Sequence, residues 1–340
     1  MSMRSRILAV AAVAGFAAAL AAPSGSQAQE RNYLLSTAST GGTYYPVGVA
    51  LATLVKVKLQ ASQKINMSAI SSAGSGENIK LMRDNEVQFA ILQGLFGAWA
   101  WKGTGPIEKD GPQKHLRSIS MLWPNVEHFV VGAADAKTGT IADFLSLKGK
   151  KVSLGAKNSG TIGSNQVILG NLGLDIEKDY ELAYMGYGPS AEALQNGTIA
   201  GMSTPAGVPV GAVTQAFAAM GNKIALLGFT PEQIAKADGG YNTWVGYDIP
   251  AGTYPGFDKA IVTIAQPNFL AVREDVPEED VYLITKAIFE NLAFLNGIHN
   301  ATKEMGLKTA IGGLPMPLHP GALKYFREAG VTIPAHLLAK

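Results

Sequence analysis

The stretch Ser39-Thr40-Gly41-Gly42-Thr43-Tyr44-Tyr45-Pro46 decides how the chain is organised. It follows the apolar run 33–35, which predicts a strand, and precedes residues 47–59 (VGVALATLVKVKL), which predict a helix. Its glycines allow a ligand to approach the main chain closely, and the free N–H groups of a helix N-terminus favour an anion. Such a unit places that anion at the edge of a sheet where α/β folds bind ligands. On its own, the stretch is equally typical of a plain tight turn with an N-cap.

The same pattern occurs twice more. Residues 71–78 (SSAGSGEN) follow a predicted strand at 65–70 and precede a predicted helix. Residues 155–164 (GAKNSGTIGS) follow a predicted strand at 151–154 and precede a predicted helix at 165–172. Pro124-Asn125 predicts a break after the strand at 117–123, and Pro267 predicts a break within 261–272. Because domain crossings are predicted near 124–127 and across 261–272, the three glycine-rich loops belong to two lobes. We therefore expect helix N-termini from both lobes to meet at one small anion.

The first residues have the three regions of a secretory signal peptide. Arg4 and Arg6 precede an apolar run at 7–22, and small residues end in a cleavage pattern at Ser26-Gln27-Ala28. The run is short for a membrane span, which needs about 20 apolar residues, although an uncleaved anchor is the alternative. Cleavage after Ala28 predicts a mature protein outside the cytoplasm, in the periplasm.

Composition excludes several classes of protein. The 340 residues contain 28 Lys+Arg and 26 Asp+Glu, so loss of Arg4 and Arg6 leaves 26 of each and a formal charge of zero. A nucleic-acid partner is not expected, because it usually needs a basic face. The chain has 0 Cys, which excludes disulfides, a thiol nucleophile and a thiolate metal site. Strands that alternate with helices predict an α/β fold, and the length favours two domains. Within this alternation, residues 186–190 (GYGPS) predict a turn and an N-cap.

No local motif for catalysis, a cofactor or a metal is present. The chain lacks a phosphate loop, a dinucleotide fingerprint, a nucleophile elbow and a paired-histidine zinc motif. Its five histidines are scattered singly. Lys157 is the one cation within the three glycine-rich loops, and either a second ligand carboxylate or solvent is its expected partner.

The stretches STGGTYYPVG, SSAGSGENIKLM, VQFAILQ, LKGKKVSLGAKNSGT, PAGTYPG, ITKAIFENL and GLPMPLHPGA run the length of the mature chain. Taken together, they resemble a TAXI-type solute-binding protein of the TRAP (tripartite ATP-independent periplasmic) transporters. The resemblance implies a type II periplasmic-binding-protein fold, with two α/β lobes around a ligand cleft. The implied division is a signal peptide at 1–28, lobe 1 at 30–125 plus 268–340, and lobe 2 at 126–267.

The resemblance also implies the ligand-binding residues, and it implies no cofactor and no metal. They come from the three loops, one strand end and two later segments: Thr40, Gly41, Gly42, Thr43, Tyr44, Gly74, Ser75, Gln93, Asn158, Ser159, Gly160, Thr161, Tyr187, Ala206 and Gly207. The implied ligand is a small organic anion, either a glutamate-like amino acid or a dicarboxylate such as 2-oxoglutarate, and the implied partner is a membrane-embedded TRAP permease. Ile162 and Gly94 stand where the family often has polar or acidic residues. This departure favours a smaller or more apolar carboxylate.

The sequence therefore predicts a non-enzymatic binder that closes around its ligand and delivers it to a permease. Two alternatives remain open at this point. One is a sensor module that presents its closed form to a receptor, and the other is a hydrolase or transferase on the same scaffold, which would need a nucleophile and a base in the cleft.

Overall fold

The computed structural model of the protein describes residues 29–338. The predicted signal peptide at 1–28 lies outside the described residues. The strands are β1 (Arg31–Ser36), β2 (Ile65–Ile70), β3 (Phe89–Gln93), β4 (Leu116–Val126), β5 (Phe129–Gly132), β6 (Lys151–Ser153), β7 (Glu181–Leu182), β8 (Gly201–Ser203), β9 (Ile224–Leu227), β10 (Val245–Ile249) and β11 (Ile261–Arg273).

Helices alternate with these strands along most of the chain. They are α1 (Tyr44–Val55), α2 (Ala61–Gln63), α3 (Ser75–Arg83), α4 (Gly94–Lys102), α5 (Ile141–Leu145), α6 (Gly160–Asn171), α7 (Ile176–Asp179), α8 (Tyr187–Gln195), α9 (Gly211–Met220), α10 (Pro231–Asp238), α11 (Glu278–Phe289), α12 (Leu292–Asn296) and α13 (Pro320–Glu328). A π-helical turn, Lys56–Gln60, joins α1 to α2. Short 3-10 helices occupy Gly105–Asp110, Gly221–Lys223, Asn300–Glu304 and Ala335–Leu337.

The strands form two mixed sheets. In the first sheet the order is β10-β11-β3-β1-β2, with β4 also paired to β11; β1 runs parallel to β2 and β3, whereas β11 runs antiparallel to its three neighbours. In the second sheet the order is β7-β6-β8-β5-β9, and β5 is antiparallel to both neighbours. The predicted α/β fold with two sheets is confirmed.

Two long strands connect the regions that hold the two sheets. We expected β4 to break at Pro124 and β11 to break at Pro267, but both strands run through their proline. The two prolines lie opposite each other in the β4–β11 pair, beside a register shift between Pro267 and Phe269. Proline lacks an N–H group, and sheets accommodate it at such irregularities. The predicted breaks in β4 and β11 are therefore wrong.

Apolar side chains fill two hydrophobic clusters. The larger includes the interior of the first sheet, with Phe89 and Trp123 fully buried, and it extends onto one face of the second sheet around Phe144. The smaller lies on the other face of the second sheet and also includes Ile249 of β10 and Ala265 of β11. The first half of β11 and its partner β10 thus pack with residues of the second sheet.

Helices begin closer to the glycine-rich loops than the sequence suggested. Helix α1 begins at Tyr44 instead of Val47, and α6 begins at Gly160 instead of Asn165. A turn was expected at 186–190, but α8 begins there at Tyr187. The hydroxyl of Ser159 accepts a hydrogen bond from the Ile162 N–H and fixes the start of α6. The loops are consequently shorter, and the helix ends lie nearer to the sheet edges. Across residues 29–338, no helix combines the length and the apolar content needed to cross a bilayer.

Candidate functional site

A cavity of about 30 Å³ lies where loops of the two sheets meet. A single ordered water needs about 10–15 Å³, so the cavity has room for one small functional group of a ligand and a few atoms bonded to it. Its lining consists of Ala38, Ser39, Gly42, Thr43, Tyr44, Ala73, Gly74, Ser75, Gln93, Asn125, Gly160, Thr161, Tyr187, Pro205 and Ala206.

Four helix N-termini contribute to this lining. The residues at the starts of α1, α3, α6 and α8 all face the cavity, through Tyr44, Ser75, Gly160 and Tyr187. Each helix of at least two turns carries a partial positive charge at its N-terminus, where its first N–H groups have no partner inside the helix. Together they make the cavity a favourable place for a negative charge.

The structure brings most of the predicted site residues together. Those that line the cavity are Gly42, Thr43, Tyr44, Gly74, Ser75, Gln93, Gly160, Thr161, Tyr187 and Ala206. Those that do not are Thr40, Gly41, Asn158, Ser159 and Gly207. Thr40 is exposed at the outside of its loop, and Ser159 is buried as the N-cap of α6.

The remaining three residues hold the two sides of the cleft together through their carbonyl groups. The Thr43 hydroxyl donates to the Gly207 carbonyl at 2.8 Å, and the Ala212 N–H donates to the Gly41 carbonyl at 3.0 Å. The Glu77 N–H donates to the Asn158 carbonyl at 3.0 Å. Each bond joins an element around the first sheet to one around the second, so these residues hold the two sides together and do not face the cavity.

Two hydroxyl groups in the wall of the cavity are hydrogen-bonded to each other. Thr161 Oγ1 lies 2.7 Å from the Tyr187 hydroxyl, which in turn donates to the Pro205 carbonyl at 2.7 Å. Burial raises the pKa of Tyr187, and burial likewise raises the pKa of Tyr44, so both phenols are neutral donors at ordinary pH. This arrangement fixes Tyr187 as part of the wall.

Gln93 spans the cleft from the end of β3. Its Oε1 accepts a hydrogen bond from Ser164 Oγ of α6 at 3.1 Å, and Ser164 Oγ also accepts from Gln266 Nε2 at 3.1 Å. The Gln93 side chain lies against Gly160, where an added Cβ would come within 2.5 Å of Oε1. Gly160 is therefore required for this close approach.

Five lining residues were not predicted from the sequence: Ala38, Ser39, Ala73, Asn125 and Pro205. Ser39, Ala73 and Pro205 adjoin predicted residues and Ala38 lies two residues before Thr40, so a wider window around each motif would have included these four. Asn125 is different, because it lies on β4 at the point where this strand leaves the first sheet. The signal available in the sequence was its position at the predicted crossing, since a crossing strand passes the back of an interlobe cleft.

None of the described residues that line the cavity has a charged or imidazole side chain. Lys157, the candidate for a second carboxylate, is exposed and lies 5.1 Å above the Tyr184 ring. It belongs to a separate outer depression of about 620 Å³, which also includes Glu77, Lys80, Arg83, Asp110 and Glu177. Among residues 29–338, no group of three or more His, Asp or Glu side chains is arranged to hold a metal ion.

Comparisons with known proteins agree with this architecture. Residues 35–330 match the model of the NMT1-like family. Similar solved structures include a protein from Bordetella bronchiseptica RB50 (13% identity, TM-score 0.53, 89% of this chain and 85% of that chain). They also include MatC from Rhodopseudomonas palustris with bound malate (13%, 0.51, 87% and 95%) and the periplasmic binding protein BugD (12%, 0.52, 89% and 98%). The fold is thus similar to that of periplasmic binding proteins, and with most of its length matched, the chain belongs to the NMT1-like family.

Proposed function

We propose that this protein is an extracytoplasmic solute-binding subunit that captures a small organic anion and delivers it to a membrane permease. One observation carries the proposal: four helix N-termini from both sides of the cleft converge on one small cavity. Main-chain dipoles hold an anion without a buried cation, and the cavity offers no acid or base for turning the anion over.

The proposed mechanism is closure of two lobes, at 30–125 plus 268–340 and at 126–267. The packing of β10 and the first half of β11 with the second sheet supports this division. Bonds such as the one from the Thr43 hydroxyl to the Gly207 carbonyl cross the cleft, and opening of the cleft would break them. A ligand that contacts both sides therefore shifts the population towards the closed form, which is the form that would dock on the permease.

The finer assignment is a TAXI-type subunit of a TRAP transporter in the periplasm. It rests on the sequence motifs, and its expected ligands are a glutamate-like amino acid or a dicarboxylate such as 2-oxoglutarate. The malate held by MatC makes small organic acids the first compounds to test. A hydrolase is disfavoured, because Ser39 and Ser75 line the cavity without a histidine or carboxylate beside them in it.

A thermal-shift screen tests the proposal. The full mature chain is heated with small carboxylates, and with sugars and amines of similar size as controls. A true ligand at about 1,000 times its dissociation constant adds about 4 kcal/mol to the free energy of unfolding. We expect one or more carboxylates to raise the melting temperature. A shift by sugars or amines alone would overturn the anion proposal.

A further inference from the structure

One buried hydrogen-bond donor in the cavity has no acceptor. Asn125 is 1% exposed and lines the cavity, and its Nδ2 has no hydrogen-bond partner among the described residues. A buried donor without a partner costs free energy, and almost all such groups in native proteins are satisfied. An acceptor that enters the cavity therefore gains a bond that the protein itself does not make.

The orientation of this donor is set by its neighbours. The Tyr44 hydroxyl donates to Asn268 Oδ1. Asn268 Nδ2 in turn donates to Asn125 Oδ1 at 3.4 Å, so the carbonyl end of Asn125 is occupied, while its amino end has no partner among the described residues. In such a chain each donor polarises the next one. Asn125 and Asn268 lie on β4 and β11, so the chain is anchored at the crossing between the lobes.

Charge and size limit what this donor can meet. The helix N-termini favour one negative charge, but none of the described residues that line the cavity is a lysine, arginine or histidine that could neutralise a second one. Burying a second, unpaired carboxylate is costly. The volume of about 30 Å³ also leaves room for little beyond one carboxylate and its immediate neighbours. Both observations disfavour the dicarboxylates.

We propose that the ligand is a short-chain monocarboxylate and that Asn125 Nδ2 donates a hydrogen bond to one of its oxygen atoms. This proposal rests on the proposed function: it keeps the small organic anion and replaces the doubly acidic ligands that the sequence motifs led us to expect. Asn125 then determines specificity from the crossing strand, whereas the helix N-termini supply the attraction for the charge.

Calorimetric titration of the mature chain tests this assignment. The probes are propionate and pyruvate on one side, and malonate, 2-oxoglutarate and glutamate on the other. We expect a monocarboxylate to bind at least 10 times more tightly than each of the doubly acidic probes. Asn125→Ala should weaken its binding roughly 10- to 100-fold, since a bond to a charged group is lost. Asn125→Asp should weaken it further, because it places a carboxyl group against the anion.

Asn222→Asp is the matched control, because Asn222 is exposed in the 3-10 helix Gly221–Lys223 and does not line the cavity. It should leave binding unchanged. If Asn125→Asp does not fold, Asn125→Ala decides alone, with its melting curve as the check on folding. Tighter binding of a doubly acidic probe, or unchanged affinity in Asn125→Ala, would overturn the assignment and leave the proposed function standing. Failure of every carboxylate to bind would defeat the proposed function itself.

Discussion

The inner cavity and the outer depression lie on the same cleft, but they differ in charge. None of the described residues that line the inner cavity is acidic or basic. The outer depression is lined by six such residues: Glu77, Lys80, Arg83, Asp110, Lys157 and Glu177. The wall between them includes the bond from the Glu77 N–H to the Asn158 carbonyl. Charged side chains thus stay where water can solvate them, and burying them would be costly. The proposed recognition in the inner cavity therefore uses fixed main-chain dipoles and neutral amides, whereas the outer depression carries the charged side chains.

The largest effect that we expect tests whether the region behind the cavity excludes charge. Glu127 is fully buried directly after β4, and its carboxyl oxygens have no hydrogen-bond partner among the described residues. Burial raises the pKa of Glu127 from 4.5 to about 8, and the nearby Trp244 indole lowers it slightly. Between these two values the folded protein holds a proton that the unfolded chain has lost. Stability therefore falls as pH rises from about 4.5 to about 8, by about 5 kcal/mol at most.

Glu127→Gln removes this pH-dependent loss of stability. The melting temperature of the variant minus that of the unmodified protein should therefore be larger at pH 8 than at pH 5. Melting curves at both pH values measure the difference. Glu192→Gln, at an exposed position of α8, is the control and should show no such trend. An equal difference at the two pH values would show that Glu127 does not carry the pH dependence.

The next effect concerns the space inside the cavity. In Gly160→Ala the new Cβ would lie 2.5 Å from Gln93 Oε1 and 2.9 Å from Ser75 Oγ. Gln93 must then move, which breaks its bond with Ser164 and fills the cavity. Overpacking of this kind costs about 1–3 kcal/mol of free energy, which corresponds to a loss of affinity of up to roughly 100-fold. Gly170→Ala, in the same helix with open space at its Cβ, should leave affinity unchanged. Titration calorimetry compares the two variants, and equal affinities would contradict the assignment of the cavity as the ligand-binding site.

A smaller effect should come from a bond across the cleft. Thr43→Val removes the hydroxyl that donates to the Gly207 carbonyl. Loss of one such bond costs about 1 kcal/mol, which should raise the ligand dissociation rate roughly 5-fold. Stopped-flow measurements give this rate, and Thr43→Ser, which retains the hydroxyl, is the control. A similar rate in both variants would mean that this bond plays no part in closure.

The smallest effect should come from the outer depression. Lys157→Ala removes an exposed cation that lies over the Tyr184 ring. Because exposed charges are screened by water and salt, the affinity for the ligand should change less than about 2-fold. A loss as large as that in Gly160→Ala would show that Lys157 reaches the ligand, and the distinction between the two regions would no longer hold.

Local sequence signals predicted much of this fold and part of the site. The glycine-rich loops follow buried strands, so their place at the sheet edge followed from strand–loop–helix order alone. Tyr187 was expected in a turn, because Gly186 and Gly188 mask the helix that begins there. Asn125 could not be found in this way, since its role depends on a strand that continues through Pro124 and on pairing with β11, more than 100 residues away. Long-range pairing of this kind leaves no local pattern.

The described lining of the cavity has no carboxyl, amine, guanidinium or imidazole side chain, which has a consequence for capture at different pH values. The proposed place of work, outside the cytoplasm, takes on the acidity of its surroundings. Simple carboxylic acids stay ionised above about pH 4–5, and peptide dipoles neither gain nor lose protons over that range. Capture through such dipoles, the mode proposed for this cavity, would therefore continue when the surroundings become acidic.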